Sequence, residues 1–266
     1  MPAEQVRLRF ATPAGTVELG ISGAVFDCDG LLVDSESVWL EMLQQWLIDH
    51  APAHSMPGTP TSPPDFLGLS VYDTAAQLSR LGRPAQPAES IVEALSQRYS
   101  ALLSGGVVPM DGAAALLPEL ARRVPVAVAS NGLRDDVLGM LAFSGLEGSL
   151  HSVCTVEQVS AGKPAPHLYL EACDRIGIGP ADSVAFEDSP AGCQAAGAAG
   201  LTVVGVNADD AIELECQIRL SSLEQVSVVT QESLRDGQER TRDDESTNDN
   251  ESIADEESIN EGARHG

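Results

Sequence analysis

Gly23-Ala24-Val25-Phe26-Asp27-Cys28-Asp29-Gly30-Leu31-Leu32-Val33-Asp34-Ser35-Glu36 is an apolar run that stops at two aspartates one residue apart, then resumes past a glycine. The first run predicts a short buried strand. Gly30 permits a tight turn just beyond it. Asp34 or Ser35 predicts the N-cap of a helix running through Trp39, Leu40, Leu43 and Trp46. Carboxylates at i and i+2 past a strand's C-terminal end stand where open α/β sheets bind ligands. Ionised side by side, Asp27 and Asp29 repel unless a cation lies between them or one keeps a proton. The pair therefore offers a nucleophile beside a metal and a proton donor. Over this fragment alone, a strand-end turn that merely carries two acids reads the same way. Cys28, alternating with the two acids, points away from them and is expected to pack.

A chain of 266 residues with 43% hydrophobic content has room for one or two domains and a sizeable core. Its net charge of −25 makes nucleic acid and anionic membrane surfaces poor partners. No apolar stretch approaches the length of a bilayer span. Glu4, Arg7 and Arg9 near the N-terminus leave no apolar signal core, so no secretion signal is expected. Cys28, Cys154, Cys173, Cys193 and Cys216 are odd in number, widely spaced and without a C-x-x-C. That argues against a disulfide framework or a zinc site and suits a reducing cytoplasm. Lys163 is the single lysine beside fourteen arginines. It is either a chance survivor or a position that needs a compact ammonium.

Residues 1–20 alternate weakly around Pro13-Ala14-Gly15 and predict an N-terminal extension, either a hairpin added to the core edge or a frayed segment. Helical patterns follow over residues 36–50, 70–81 and 88–103, with a proline-rich linker from Ala51 to Pro64. No strand pattern occurs between Asp34 and Gly106, so residues 36–106 form an all-helical insertion. Strands are then expected at Val124–Ala129, with Pro125 near its start, weakly near Val153-Cys154, at Ser183–Phe186 and at Leu201–Val206. Helices are expected over 113–123, 135–143, 167–176 and 190–199. The alternation predicts an α/β fold, a doubly wound parallel Rossmann-like sheet assembled from residues 21–35 and 107–230. Residues 231–266 carry twelve acids, four arginines and little that is apolar, which predicts an acidic disordered tail.

Polar clusters close the strands: Asp27 and Asp29, then Ser130 and Asn131, then Glu187 and Asp188. Lys163 lies in the loop after the weak strand, so all are expected to face one crevice. Asp27, Glu187 and Asp188 offer hard oxygen ligands, which suit Mg²⁺ rather than zinc. Ser130, Asn131 and Lys163 offer hydroxyl, amide and ammonium donors for the oxygens of a phosphoryl group. Metal and lysine would also screen so acidic a chain from an anionic substrate. Among other residues, Arg134 and His167 could reach the crevice, Trp39 could line its roof, and Phe66–Val71 could shape its wall.

These segments, FDCDGLLVDSE, ASNG, GKPAPHLY and FEDSPAG in that order, resemble the haloacid dehalogenase-like superfamily of aspartate-nucleophile phosphohydrolases. The resemblance covers residues 23 to about 207 and points to the beta-phosphoglucomutase/phosphoglycolate phosphatase-like subgroup, whose small helical cap residues 36–106 resemble. It implies that Asp27 forms an aspartyl-phosphate and that Asp29 protonates the leaving alcohol, then activates water. It implies Mg²⁺ held by Asp27, the Asp29 carbonyl, Asp188 and Glu187, with Ser130, Asn131 and Lys163 on the phosphoryl group. Dehalogenases lack the second aspartate, which is present here as Asp29. A Schiff-base phosphonatase needs a cap lysine, and none exists. A beta-phosphoglucomutase-like mutase is the alternative, although Trp39 stands where its histidine falls and the cap lacks its arginine and lysine. A catalytically retired binding module is a further alternative, which filled chemical positions do not favour. The expected activity is Mg²⁺-dependent hydrolysis of a small phosphorylated metabolite of the sugar or polyol phosphate class.

Overall fold

The computed structural model describes residues 6–50, 66, 69–82 and 85–229. The proline-rich linker and the acidic tail expected at 231–266 lie outside the described residues. The core is a six-stranded parallel sheet. Its strands in chain order are β3 (Gly23–Phe26), β4 (Val126–Ser130), β5 (Ser152–Thr155), β6 (Ser183–Glu187), β7 (Thr202–Val206) and β8 (Ile218–Leu220). Their spatial order is β5-β4-β3-β6-β7-β8. The chain runs outward from β3 to β5, then returns to the other side of β3, so the order reverses between β3 and β6. That reversal opens a crevice at the carboxyl ends of the central strands. β3, β4 and β6 are buried throughout, as strands covered on both faces must be. Phe26 stacks on Phe186 across β3 and β6, with centroids 4.5 Å apart. Burying a side chain of this size contributes about 1.5–3 kcal/mol.

The sheet confirms the doubly wound α/β reading and corrects details. β4 begins at Val126, after Pro125 rather than across it. Pro125 has no N–H for a ladder, and only its carbonyl is used, accepting from Ala24 N at 3.1 Å. The N-terminal segment is a hairpin, β1 (Val6–Thr12) with β2 (Gly15–Ile21), but it does not extend the main sheet. It pairs instead with β9 (Val226–Val228) in a separate three-stranded sheet, ordered β2-β1-β9. One face of β1 drives this: Leu8 and Phe10 are fully buried in the cluster that holds Phe26 and Phe186. The outer face carries Arg9 paired with Glu18. β8 and β9 are only three residues long, too short for a periodic signal, and the sequence reading ends its strands at Val206.

Helices α1 (Glu36–Asp49), α2 (Val71–Arg80) and α3 (Ala88–Leu103) lie between β3 and β4, with no strand between them among the described residues. They pack around their own apolar cluster, which includes Leu43, Trp46, Phe66, Leu78, Ile91 and Leu95. The Ser70 hydroxyl caps α2 by accepting from Asp73 N. Helices α4 (Ala113–Ala121), α5 (Arg134–Phe143), α6 (His167–Ile176) and α7 (Pro190–Ala199) cover the sheet. No helix among the described residues is long and apolar enough to cross a membrane.

Candidate active site

The loop after β3 folds as its residue types require. Leu32 and Val33 N–H groups both return to the Cys28 carbonyl, and Gly30 sits at φ +80°. A Cβ there would lie 2.3 Å from an Asp188 carboxylate oxygen, so the turn admits glycine alone. Cys28 is fully buried. Ser35 occupies the N-cap position of α1, as expected, but its hydroxyl does not cap. It donates instead to Asp29 Oδ1 at 2.6 Å.

All seven sequence-predicted residues converge. Lys163 Nζ donates to Asp27 Oδ1 and, at 2.6 Å, to Glu187 Oε1. It also lies 5.3 Å from the Tyr169 ring centroid. The Lys163–Pro164 peptide bond is cis. Asn131 grips the Lys163 backbone from both sides: its Oδ1 accepts from Lys163 N at 2.8 Å, and its Nδ2 donates to Lys163 O at 3.3 Å. Ser130 donates to Asp29 Oδ2 at 3.0 Å while its Oγ accepts from Gly132 N. The Ser130 hydroxyl thus faces Asp29, whereas Asn131 and Lys163 line the cavity. Burial alone would lower the Lys163 ammonium, but the Asp27 and Glu187 carboxylates outweigh it and hold it protonated. Burial pushes the Asp27 carboxyl up, and Lys163 pulls it back.

Asp27, Glu187 and Asp188 bring carboxylate oxygens within 4.8 Å of one another, all buried. They differ in what those oxygens already do. Glu187 Oε1 accepts from Lys163 and Tyr169, and Oε2 accepts from the Ser189 hydroxyl and from the backbone of Asp188 and Ser189. Gly192 makes room for it, since a Cβ at that position would fall 1.9 Å from the Glu187 carboxyl. Asp188 Oδ1, by contrast, is buried without a hydrogen-bond partner. An orphaned carboxylate oxygen is costly unless a cation takes it. Burial, then the Asp27 charge, pushes the Asp188 carboxyl well above the usual range, which a divalent cation would reverse. The donor set is hard oxygen and fits Mg²⁺.

A cavity of about 80 Å³ opens on this floor. Helix α1 contributes Trp39, α3 contributes Ser96 and Tyr99, and Leu69 and Val71 complete the roof. Trp39 and the Leu69–Val71 region thus stand where the sequence reading put them, while residues 67–68 lie outside the described residues. His167 and Arg134 do not line the cavity. His167 is exposed beside Ser160, and the exposed Arg134 offers its guanidinium to the Val153 carbonyl. Among the lining residues that the sequence reading did not single out are four polar ones, Glu36, Ser96, Tyr99 and Asp136. Glu36 follows the motif directly, and burial pushes its carboxyl up to about 7 against a hydrogen bond with Asp188. For the other three no sequence signal existed, because helical periodicity does not say which polar residue meets a distant loop.

Comparison with known proteins agrees with this geometry. The sequence profile of haloacid dehalogenase-like hydrolases matches residues 24–206. Validoxylamine A 7'-phosphate phosphatase of Streptomyces hygroscopicus subsp. limoneus is 31% identical over 223 residues, covering 76% of this chain and 94% of that protein. Hexitol phosphatase A of Escherichia coli is 31% identical over 220 residues, covering 79% of this chain and 94% of that protein. Among solved structures, CbbY from Rhodobacter sphaeroides in complex with phosphate shares the fold, with a TM-score of 0.66 at 22% identity over 76% of this chain and 95% of that one. The profile match spans the β3 loop, the Ser130 and Lys163 loops and the Glu187-Asp188 pair alike, and the chain belongs to the haloacid dehalogenase-like hydrolase family.

Proposed function

We propose that this chain is a Mg²⁺-dependent phosphomonoesterase that hydrolyses a small phosphorylated metabolite of the sugar or polyol class through an aspartyl-phosphate on Asp27. The observation that carries this reading is the buried Asp27–Lys163–Glu187 ion-pair network beside an unpartnered Asp188 oxygen. Lys163 and the Asn131 amide orient the phosphoryl oxygens, so that Asp27 attacks phosphorus in line with the leaving oxygen. Asp29 gives that oxygen its proton as the P–O bond breaks, leaving a neutral alcohol. It then takes a proton from the water that attacks phosphorus and frees Asp27. Asp27, Asp188 and the Asp29 carbonyl would hold Mg²⁺, which when bound supplies charge to the transferring oxygens. Glu187, with both oxygens engaged, anchors Lys163.

The helices of residues 36–106 act as a cap. They meet the core through Tyr99 on Asp29, Ser100 on Asp136, and Leu133 in their apolar cluster. Lifting these contacts would widen the way in for substrate, and closure excludes water. Lys163 is the one cation among the described lining residues, against five acids. Beside Lys163, the described lining offers no cation for the second phosphate that a mutase must hold, which favours hydrolysis of monophosphates. The relatives that act on hexitol phosphate and validoxylamine A 7'-phosphate support a hydroxylated leaving group. The test is phosphate release from a panel of phosphorylated metabolites with excess Mg²⁺ and with chelator. Turnover of polyol or sugar monophosphates that chelator abolishes is expected, and absence of turnover on every phosphomonoester overturns the proposal.

A further inference from the structure

We propose that Tyr99 is a positioning residue for the acid–base carboxyl Asp29, so that proton donation is completed only when the cap helix α3 is seated over the site. Three hydroxyls converge on Asp29. Ser35 reaches Oδ1 at 2.6 Å and Ser130 reaches Oδ2 at 3.0 Å, both from the core loops at its own strand ends. The third comes from seventy residues away: Tyr99 OH stands 3.3 Å from Asp29 Oδ1 and 3.3 Å from the Ser35 carbonyl.

Its placement is held from two sides. The ring meets Trp39 edge to face, with centroids 5.1 Å apart at 79°. The next residue, Ser100, donates to Asp136 Oδ1 at 2.6 Å and fixes α3 against α5. The Asp29 carboxyl oxygen and the Ser35 carbonyl both accept, so the Tyr99 hydroxyl serves as the donor. Ser35 and Ser130 each engage one carboxyl oxygen of Asp29. With Tyr99 in place, Oδ1 is held from two directions, and the carboxyl faces the cavity in one orientation. When the cap lifts, this third contact leaves with it. Catalytic geometry and exclusion of water then arise in one movement.

This inference rests on the phosphatase reading, with Asp29 as the acid, and its test separates the two. Phenyl phosphate and 4-nitrophenyl phosphate are aryl esters of similar shape that differ in how much protonation the departing oxygen needs. The full chain and its Tyr99→Phe variant, which keeps the ring on Trp39, are assayed with both esters under saturating Mg²⁺. The ratio of kcat/KM for phenyl over 4-nitrophenyl phosphate is expected to fall at least about tenfold, the loss of one hydrogen bond to a charged group. Ser35→Ala, which removes the other donor to the same oxygen, is expected to lower that ratio at least as far. A ratio unchanged in Tyr99→Phe, with both esters slowed equally or not at all, overturns the positioning role and leaves the phosphatase reading standing. Failure of the unmodified chain to cleave either ester or any metabolite phosphomonoester overturns both.

Discussion

The floor and the roof of the cavity are built on opposite terms. On the floor, Asp27, Lys163, Glu187 and Asp188 are at most 6% exposed and nearly every polar atom is spoken for. On the roof, Trp39, Leu69 and Val71 present apolar surface, and the Ser96 hydroxyl is buried with no partner. A buried network of charges tolerates no substitution, because removing one member strands the others. An apolar wall with one idle hydroxyl can be rebuilt at small cost. Under the proposed function, the difference assigns chemistry to the floor and choice of leaving group to the roof.

The hardest blow to this division is Asp27→Asn. It should lower turnover on every phosphomonoester by at least about 10³-fold, read as phosphate release. Residual turnover near that of the unmodified chain would remove Asp27 from the nucleophile's place. Lys163→Arg should cost about 10²-fold on all substrates alike, because a planar fork cannot replace a point charge between Asp27 and Glu187. Near-normal kinetics would show that the compact ammonium is dispensable. Asp188→Asn should weaken Mg²⁺ binding by about tenfold or more, measured by calorimetry on the purified chain. Unchanged affinity would shift the metal away from the orphaned oxygen.

Smaller effects sharpen the comparison. Gly192→Ala should destabilise the fold by about 1–3 kcal/mol, seen as a lower Tm, since its methyl group enters the Glu187 carboxyl. On the roof, Ser96→Ala should raise KM for a polyol phosphate about three- to tenfold while kcat changes little, the loss of one neutral hydrogen bond. If Ser96→Ala instead lowers kcat on all substrates equally, roof and floor are not separable.

The doubly wound sheet was legible because buried parallel strands leave a signal that little else imitates: continuous apolar runs at Gly23–Phe26 and Ser183–Phe186, each closed by acids. Lys163 was legible by rarity. The hairpin's destination was not, since alternation around Pro13 predicts pairing with a neighbour, whereas its docking on β9 joins the two ends of the core. Ser35 shows the same limit at one residue. Its position at the head of α1 was readable, yet its hydroxyl serves Asp29, a choice made by distance rather than by local propensity.

Local chemistry along the chain thus sufficed for strands β3 to β7, the acid pairs and the lone ammonium, because each is a property of neighbours in sequence. Contacts between remote segments decided the rest: Glu187 as the anchor of Lys163, Asp188 with an oxygen to spare, and Tyr99 on Asp29 across seventy residues. Those assignments depend on which donors reach a carboxylate first once the chain has closed on itself, and no spacing of residues along a strand or helix encodes that order.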